Sequence, residues 1–368
     1  MKREANAIDF WRGFALITIF INHIPGIVFD KFTSKNFSLS DSAELFVFLA
    51  GWSLRLIVGR DDNPKPMPQI ASRLGGRALT LYAAHMMIGM IAIAILASAS
   101  ILLDNPLLLE WHNAAAVFFD PINTHLGMAL LSHQLGYFDI LPLYVALMIF
   151  APLVAAIDRY LPRLLLPVSI TIYLTALCVP ITIPTWPTEG QWFFNPLCWQ
   201  LVFVLGFVMA RPSGIGGFVR RHIRPIRWLA LPIDIGGALM VIYDVYPDPL
   251  TMPEPKLLFI VGKTFVTPIR LIQFLALVAV FSVAYGYIRK LAAPLVEPIS
   301  MLGRNSLEVF CVGSILSLLG QVARFQTGGG YGIDTALVAA GVAIMFLTAW
   351  LAEGPERLKA PAASRTAA

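Results

Sequence analysis

The fold predicted by the sequence is an all-helical integral membrane protein with about ten transmembrane helices and both termini in the cytoplasm. Three observations carry it: the composition, the spacing of apolar stretches, and the placement of basic residues between them. Of 368 residues, 57% are apolar and 13% charged, and the mean hydropathy is +0.73. A soluble domain carries about 25% charged residues, so this chain has roughly half the charge needed to cover a globular surface. That excludes a cytosolic enzyme, a disordered chain and a disulfide-built secreted scaffold.

A bilayer core about 30 Å thick takes ~20 mostly apolar residues in helix. Ten such segments occur, at 8–28, 42–59, 78–103, 137–157, 163–183, 196–210, 227–246, 268–288, 300–323 and 333–353. Pro, Gly or charge bounds each one, as at Pro25-Gly26, Asp104-Asn105-Pro106, Arg211-Pro212 and Gly328-Gly329-Gly330, the last read as an outer turn. Stretches 105–136 and 184–195 are less apolar and read as surface or re-entrant segments. In the first segment Arg12, Asn22 and His23 interrupt the apolar run and no small-x-small cleavage site follows, so it reads as a retained helix. Residues 1–356 are expected to form a single polytopic domain, with 357–368 a polar cytoplasmic tail.

The 27 basic residues test this segmentation, because cytoplasmic loops hold the excess of Lys and Arg. With a cytoplasmic start, nineteen fall in inside loops and five outside (Lys31, Lys35, Lys256, Lys263, Arg324). Arg12, Arg270 and Arg304, in or at the edge of segments, make up the 27. The net charge of +5 is therefore a topology signal. Nucleic-acid binding would need a clustered basic face, which the chain lacks. Trp11, Trp111, Trp186, Trp228 and Trp350 sit near segment ends, as an interfacial belt does. Cys178, Cys198 and Cys311 lie in apolar runs without metal-ligand spacing and read as buried apolar side chains.

The first segment carries the strongest chemical signal. Asp9, Arg12 and His23 are 3 and 11 residues apart, and eleven steps of ~100° return to within about 20° of the same face. Intramembrane ionisable groups cost several kcal/mol unless paired or hydrated, and usually face a cavity. The plainer alternative is an interfacial Asp9–Arg12 pair with His23 at a helix end. Other polar residues have two readings as well. Glu44 opens the second segment and either orients His23 or faces the interface. Asp139 either contacts an acceptor or caps a helix. Arg270 and Gln273 share a face that suits a carboxylate, although snorkelling explains Arg270 nearly as well. Asn195, Trp199, Gln200, Asn305 and Glu308 either line a cavity or join helices. Arg73 and Arg77 read alone as positive-inside anchors, and His85 as a packed core residue. His112, His125 and His133 have neither paired spacing nor a completing carboxylate, so no metal is predicted.

Ile8-Asp9-Phe10-Trp11-Arg12-Gly13 running to His23 resembles the opening helix of the membrane-bound acyltransferase-3 superfamily, whose signature is a basic residue, ten others, then His. Glu44-Leu45-Phe46-Val47-Phe48-Leu49-Ala50-Gly51 resembles its second-helix motif, with Ala50 and Trp52 where Ser and Phe are commoner. Arg73 and Arg77, before the third segment, resemble its cytoplasmic arginine motif. Within that superfamily, four further runs are similar to OpgC proteins: His23-Ile24-Pro25-Gly26, 134–144, Phe194-Asn195-Pro196 with Trp199-Gln200, and Leu302-Gly303-Arg304-Asn305-Ser306-Leu307. Glu308 stands where those relatives are expected to have Pro.

The resemblance implies an acyltransferase-3-like bundle in the bacterial inner membrane that succinylates osmoregulated periplasmic glucans. It implies an acyl-CoA co-substrate, succinyl-CoA foremost, and no tightly bound cofactor. His23 is then the general base, with Glu44 and Asp9 completing the catalytic set. An acyl-histidine relay is the alternative. Arg12, Arg73 and Arg77 are the expected contacts for the CoA phosphates. Asp139, Asn195, Gln200, Arg270 and Asn305 are the expected acceptor or cavity residues. The partners implied are the bilayer, the donor and the glucan, with no nucleic acid. Competing readings are modification of another envelope polysaccharide and a polytopic transporter. Against the transporter, no pair of correspondingly broken helices recurs in two halves.

Overall fold

The computed structural model describes residues 4–60 and 63–359. Apart from a two-residue antiparallel pairing of Gly59–Arg60 with Asn63–Pro64, the regular structure among them is helical. The α-helices are α1 (Ala7–Asn22), α2 (Ser42–Val58), α3 (Met67–Leu102), α4 (Ala115–Phe119), α5 (Pro121–Ala129), α6 (Ile140–Tyr160), α7 (Leu165–Cys178) and α8 (Pro196–Met209). There follow α9 (Gly214–Arg221), α10 (Ile223–Ile242), α11 (Pro268–Phe281), α12 (Ala284–Leu291), α13 (Ala293–Arg304), α14 (Ser306–Thr327), α15 (Tyr331–Ala352) and α16 (Gly354–Lys359).

Five of these, α3, α6, α10, α14 and α15, are long and apolar enough to cross a membrane. The number rises to seven if the bent pairs α8–α9 (70°) and α11–α12 (42°) each make one span. The remaining predicted segments correspond to the shorter helices α1, α2 and α7, of 16, 17 and 14 residues. Stretch 105–136 forms a 3-10 helix, Pro106–Asn113, then α4 and α5. Gly328, Gly329 and Gly330, all at positive φ, make the turn between α14 and α15. The tail expected at 357–368 lies outside the described residues from 360 onward, as do Lys2, Arg3 and Arg365.

Two boundaries differ from the sequence reading. Segment 78–103 is the apolar part of a 36-residue helix that begins at Met67 with Pro in its first turn. Arg73 and Arg77 therefore lie on α3 and not ahead of it. The helix continues past the drop in hydropathy because Ile70, Leu74, Ala78, Leu81, His85 and Ile88 keep burying one face at three- and four-residue spacing. Segment 300–323 is likewise cut at Asn305, whose φ −106° and ψ 41° end α13 and start α14.

The chain divides into two compact units, one built from Met1–Thr33 with Phe281–Ala368 and the other from Ser34–Val280. In the first, α1 and α13 touch backbone to backbone. A Cβ on Gly13 would lie 1.9 Å from the Ile299 carbonyl oxygen, and one on Gly303 would lie 1.8 Å from that of Asp9. On α15, a Cβ at Gly341 would meet the Phe20 ring at 2.1 Å. The second unit uses the same device where α2 crosses α8. A Cβ on Gly51 would lie 1.8 Å from the Phe203 carbonyl oxygen, and one on Gly206 would lie 1.9 Å from that of Phe48. Small residues at helix interfaces let backbones approach this closely. Also in this unit, α10 meets α11 through Ala230, Ala276 and Ala279.

Gly206→Ala is expected to cost at least ~1–3 kcal/mol, since the added methyl meets backbone that cannot rotate away. Gly75→Ala, an exposed helical site with nothing within 4 Å, is expected to stabilise by about 0.5–1 kcal/mol. Thermal unfolding of both variants in detergent checks this; a Gly206→Ala protein melting with the native one would contradict the backbone contact.

Candidate active site

Two polar constellations stand out, one in each unit. The first is α1 itself. Asn6 caps the helix: its Oδ1 accepts the N–H groups of Ile8 and Asp9, both at 3.0 Å, and its Nδ2 donates to Asp9 Oδ2 at 2.6 Å. Asp9 is buried, and Arg12, one turn on, is half-buried. His23 is half-buried and stands at the other end of the helix, where its own N–H donates to the Ile19 carbonyl at 3.0 Å. The sequence reading placed His23 within a longer span. The helix stops because Pro25 has no N–H to continue the ladder and Gly26 turns at φ 73°.

The second constellation opens α2. Asp41 and Glu44 form a capping box, in which Asp41 Oδ1 accepts the Ala43 N–H at 2.8 Å and Glu44 Oε2 accepts the Asp41 N–H at 3.0 Å. Arg270 of α11 closes on this turn. Its Nε donates to Glu44, one Nη to the Leu39 carbonyl, and the other Nη to Asp41 Oδ2 at 3.2 Å. Lys263 Nζ donates to Asp41 Oδ2 at 2.6 Å and lies 5.7 and 5.6 Å from the Phe193 and Phe194 ring centroids. Burial alone would raise the Asp41 carboxyl, but the two cations beside it, Lys263 and Arg270, outweigh that and hold it well below the usual carboxylate range.

Gln273, one turn after Arg270, extends the network. Its Oε1 accepts from the Ser38 and Ser40 hydroxyls at 2.9 and 3.0 Å, and its Nε2 donates to Asp234 Oδ1 of α10 at 3.5 Å. A Cβ on Gly237 would lie 2.7 Å from the Gln273 side chain, so the glycine one turn after Asp234 admits this contact.

The other predicted residues are dispersed. Arg73 and Arg77 are exposed one turn apart on α3. Asp139 is half-buried immediately ahead of α6. Asn195 is buried as the N-cap of α8, accepting the Leu197 N–H at 3.0 Å and donating to the Ile181 carbonyl at 2.7 Å. Gln200 and Ser169 bind each other across α8 and α7, at 2.7 Å to the hydroxyl and 2.9 Å to the carbonyl. Asn305 joins the α13–α14 break to Glu353 at 3.3 Å. Thus Asn195, Gln200 and Asn305 join elements, and Arg270 binds carboxylates of the protein itself. His85 is buried in α3, as its core reading expects. Among the described residues no group of three His, Cys, Asp or Glu side chains gathers to hold a metal.

Sequence reasoning passed over Asp41, Lys263 and Asp234. The D-x-x-E spacing ahead of an apolar run was a readable cap signal for Asp41; Lys263 reaches the same turn from 222 residues away, and no local pattern announces it.

A family model described as OpgC protein matches residues 3–357. The chain belongs to the OpgC family. No curated protein and no solved structure matches it. Membership points to a membrane-associated transferase, and the apolar helices agree with a membrane location. In this OpgC chain the run from Leu302 to Leu307 has a packing account. Gly303 lies against α1, while Arg304 donates to Glu353 at 2.8 Å and to Glu297 at 2.9 Å.

Breaking the buried Glu44–Arg270 pair by Glu44→Gln or Arg270→Met is expected to cost ~3–5 kcal/mol each. The double variant should lose clearly less than the sum of the two. Melting curves of the three proteins check this, and additive losses would mean that the two side chains do not depend on each other.

Proposed function

We propose that this OpgC-family chain is an inner-membrane acyltransferase. It moves a succinyl or similar acyl group from cytoplasmic acyl-CoA to hydroxyls of osmoregulated periplasmic glucans. Family membership over nearly the whole chain is the observation that carries the reading. The His23 half-buried at the end of α1, with Arg12 near the other end, supports the residue assignment.

In this reading His23 takes the proton of a sugar hydroxyl as its oxygen attacks the thioester carbonyl. The tetrahedral intermediate collapses with loss of the CoA thiolate, which leaves protonated, and the ester remains on the glucan. Asp9 sits one turn from Arg12 and orients it. The exposed Arg73 and Arg77, one turn apart on α3, are the proposed contacts for donor phosphates. Asp139 is the proposed contact for the acceptor. Glu44 acts through structure: its carboxylate fixes Arg270 and the α2 cap. We further propose ten membrane passages with both termini cytoplasmic, a reading that the alternation of basic residues supports.

Cells carrying wild-type, His23→Ala or Arg12→Ala protein at matched membrane levels should differ in the anionic charge of their periplasmic glucans. Loss of charge is expected for both variants, and fully anionic glucans with His23→Ala would overturn the mechanism. For topology, single cysteines at the exposed positions Asn36 and Ser213 are expected to react with an impermeant maleimide from the periplasmic and cytoplasmic sides respectively. Labelling from one side only would break the proposed orientation.

A further inference from the structure

The chain beyond His23 is held by side chains from α14 and α15. At the end of α1 the helical ladder fails. The Ile24 N–H turns to the Ile21 carbonyl at 3.1 Å, the Ile27 N–H turns to the Ile24 carbonyl at 3.3 Å, and Pro25 donates nothing. The Phe20 and His23 carbonyls thereby lose their usual i+4 donors. In an apolar surrounding, a carbonyl left without a donor costs several kcal/mol.

One face of α14 supplies the replacements at spacing i, i+3, i+4 and i+7. Ser317 Oγ donates to the Phe20 carbonyl at 3.0 Å. Gly320 lies against Ile24, where a Cβ would meet Cδ1 at 2.9 Å. Gln321 Nε2 donates to the His23 carbonyl at 2.6 Å. Arg324 donates through one Nη to the Gly26 carbonyl at 2.8 Å and through the other to Asp334 at the start of α15. Asp334, fully buried, in turn accepts the Val28 N–H at 2.8 Å through its second oxygen. Side chains from two other helices thus bind four backbone groups between Phe20 and Val28. An apolar stripe could pack against this segment but would leave those groups unsatisfied and the segment free to shift.

We propose that Gln321, Arg324 and Asp334 are positioning residues for His23. They fix the backbone from His23 to Val28 and with it the direction in which the imidazole projects. This inference rests on the reading of His23 as the catalytic base. None of the three is assigned contact with donor or acceptor; each acts through the backbone that carries His23. Gln321 is the most direct of them, because its amide bonds the carbonyl of His23 itself.

The test uses the full chain in detergent, with succinyl-CoA as donor probe and periplasmic glucan from a deletion strain as acceptor. A second readout is the rate at which diethyl pyrocarbonate modifies His23, followed by peptide mass spectrometry with the exposed His125 and His222 as internal references. Gln321→Met is expected to lower kcat about tenfold or more, since a catalytic group misplaced by about 1 Å can cost on the order of a hundredfold. The KM for succinyl-CoA should stay within about twofold, because no donor contact is removed. His23 modification should change by at least about threefold in rate relative to His222 while the buried His85 and His133 keep their native protection, which general loosening would lower for all the buried histidines together. Arg324→Met should behave alike and Arg324→Lys should recover part of both readouts, which keeps the test open if Gln321→Met does not accumulate. Native kcat and a native His23 modification rate in Gln321→Met and Arg324→Met would overturn the inference. His23→Ala run alongside separates the two claims. Native transfer by that variant removes the base assignment, while the modification rates still report whether the hydrogen bonds fix residue 23.

Discussion

Helix backbones in direct contact are the constraint on which the arrangement depends. Where α1 meets α13, and again where α2 meets α8, glycine faces carbonyl on both partners, and no side chain separates them. Between apolar helices in lipid there is little hydrophobic gain from association, so close packing and hydrogen bonding must hold the helices together. The two crossings seat the helices whose ends bear the two polar constellations. One is α1, which ends at His23, and the other is α2, which begins at the Asp41–Glu44 cap. Gly13, the residue after Arg12, and Gly51, one turn after Val47, are therefore structural requirements of these crossings.

The second organising feature is the treatment of charge. Arg270 is spent on two carboxylates and a carbonyl, and Arg304 on two glutamates. Arg324 is spent on an aspartate and a carbonyl. At the opposite end of α2, Asp158 accepts from Arg55 at 3.2 Å and Arg211 at 2.9 Å. Apart from Arg304–Glu297, which lies within α13, each of these pairs draws its members from different helices or from a helix and a loop. A buried charge tolerates few partners and few geometries, so such pairs fix relative placement even where their net contribution to stability is small. The exposed Arg73 and Arg77 contrast with them, which is why they suit an anionic ligand better than Arg270 does.

Much of the secondary structure was legible because an apolar run of about twenty residues has few alternatives in a chain with so little charge. What escaped the sequence shares a physical cause. Hydropathy follows lipid exposure, so it ended the third segment at Arg77 although one buried face carries α3 back to Met67. It also merged residues 300–304 with α14, since a break at Asn305 costs no hydropathy. For the candidate site, periodicity found Asp9, Arg12 and His23 because they share a helix. The D-x-x-E cap was equally local and was passed over. Lys263, Gln321 and Asp334 reach their targets across more than 200 residues of chain, and no pattern in one sequence marks such pairings.

The length of α3 has a consequence of its own. At ~1.5 Å per residue, the eleven residues from Met67 to Arg77 add about 16 Å to a helix whose apolar stretch already suffices to cross the hydrocarbon. That extension must stand among headgroups or in water whichever way the protein faces. Its two exposed guanidinium groups thus lie in the layer where anionic solutes arrive by diffusion, ahead of any opening into the bilayer. A ligand held there would continue its search along a surface instead of through bulk solvent, so capture and chemistry need not share a rate.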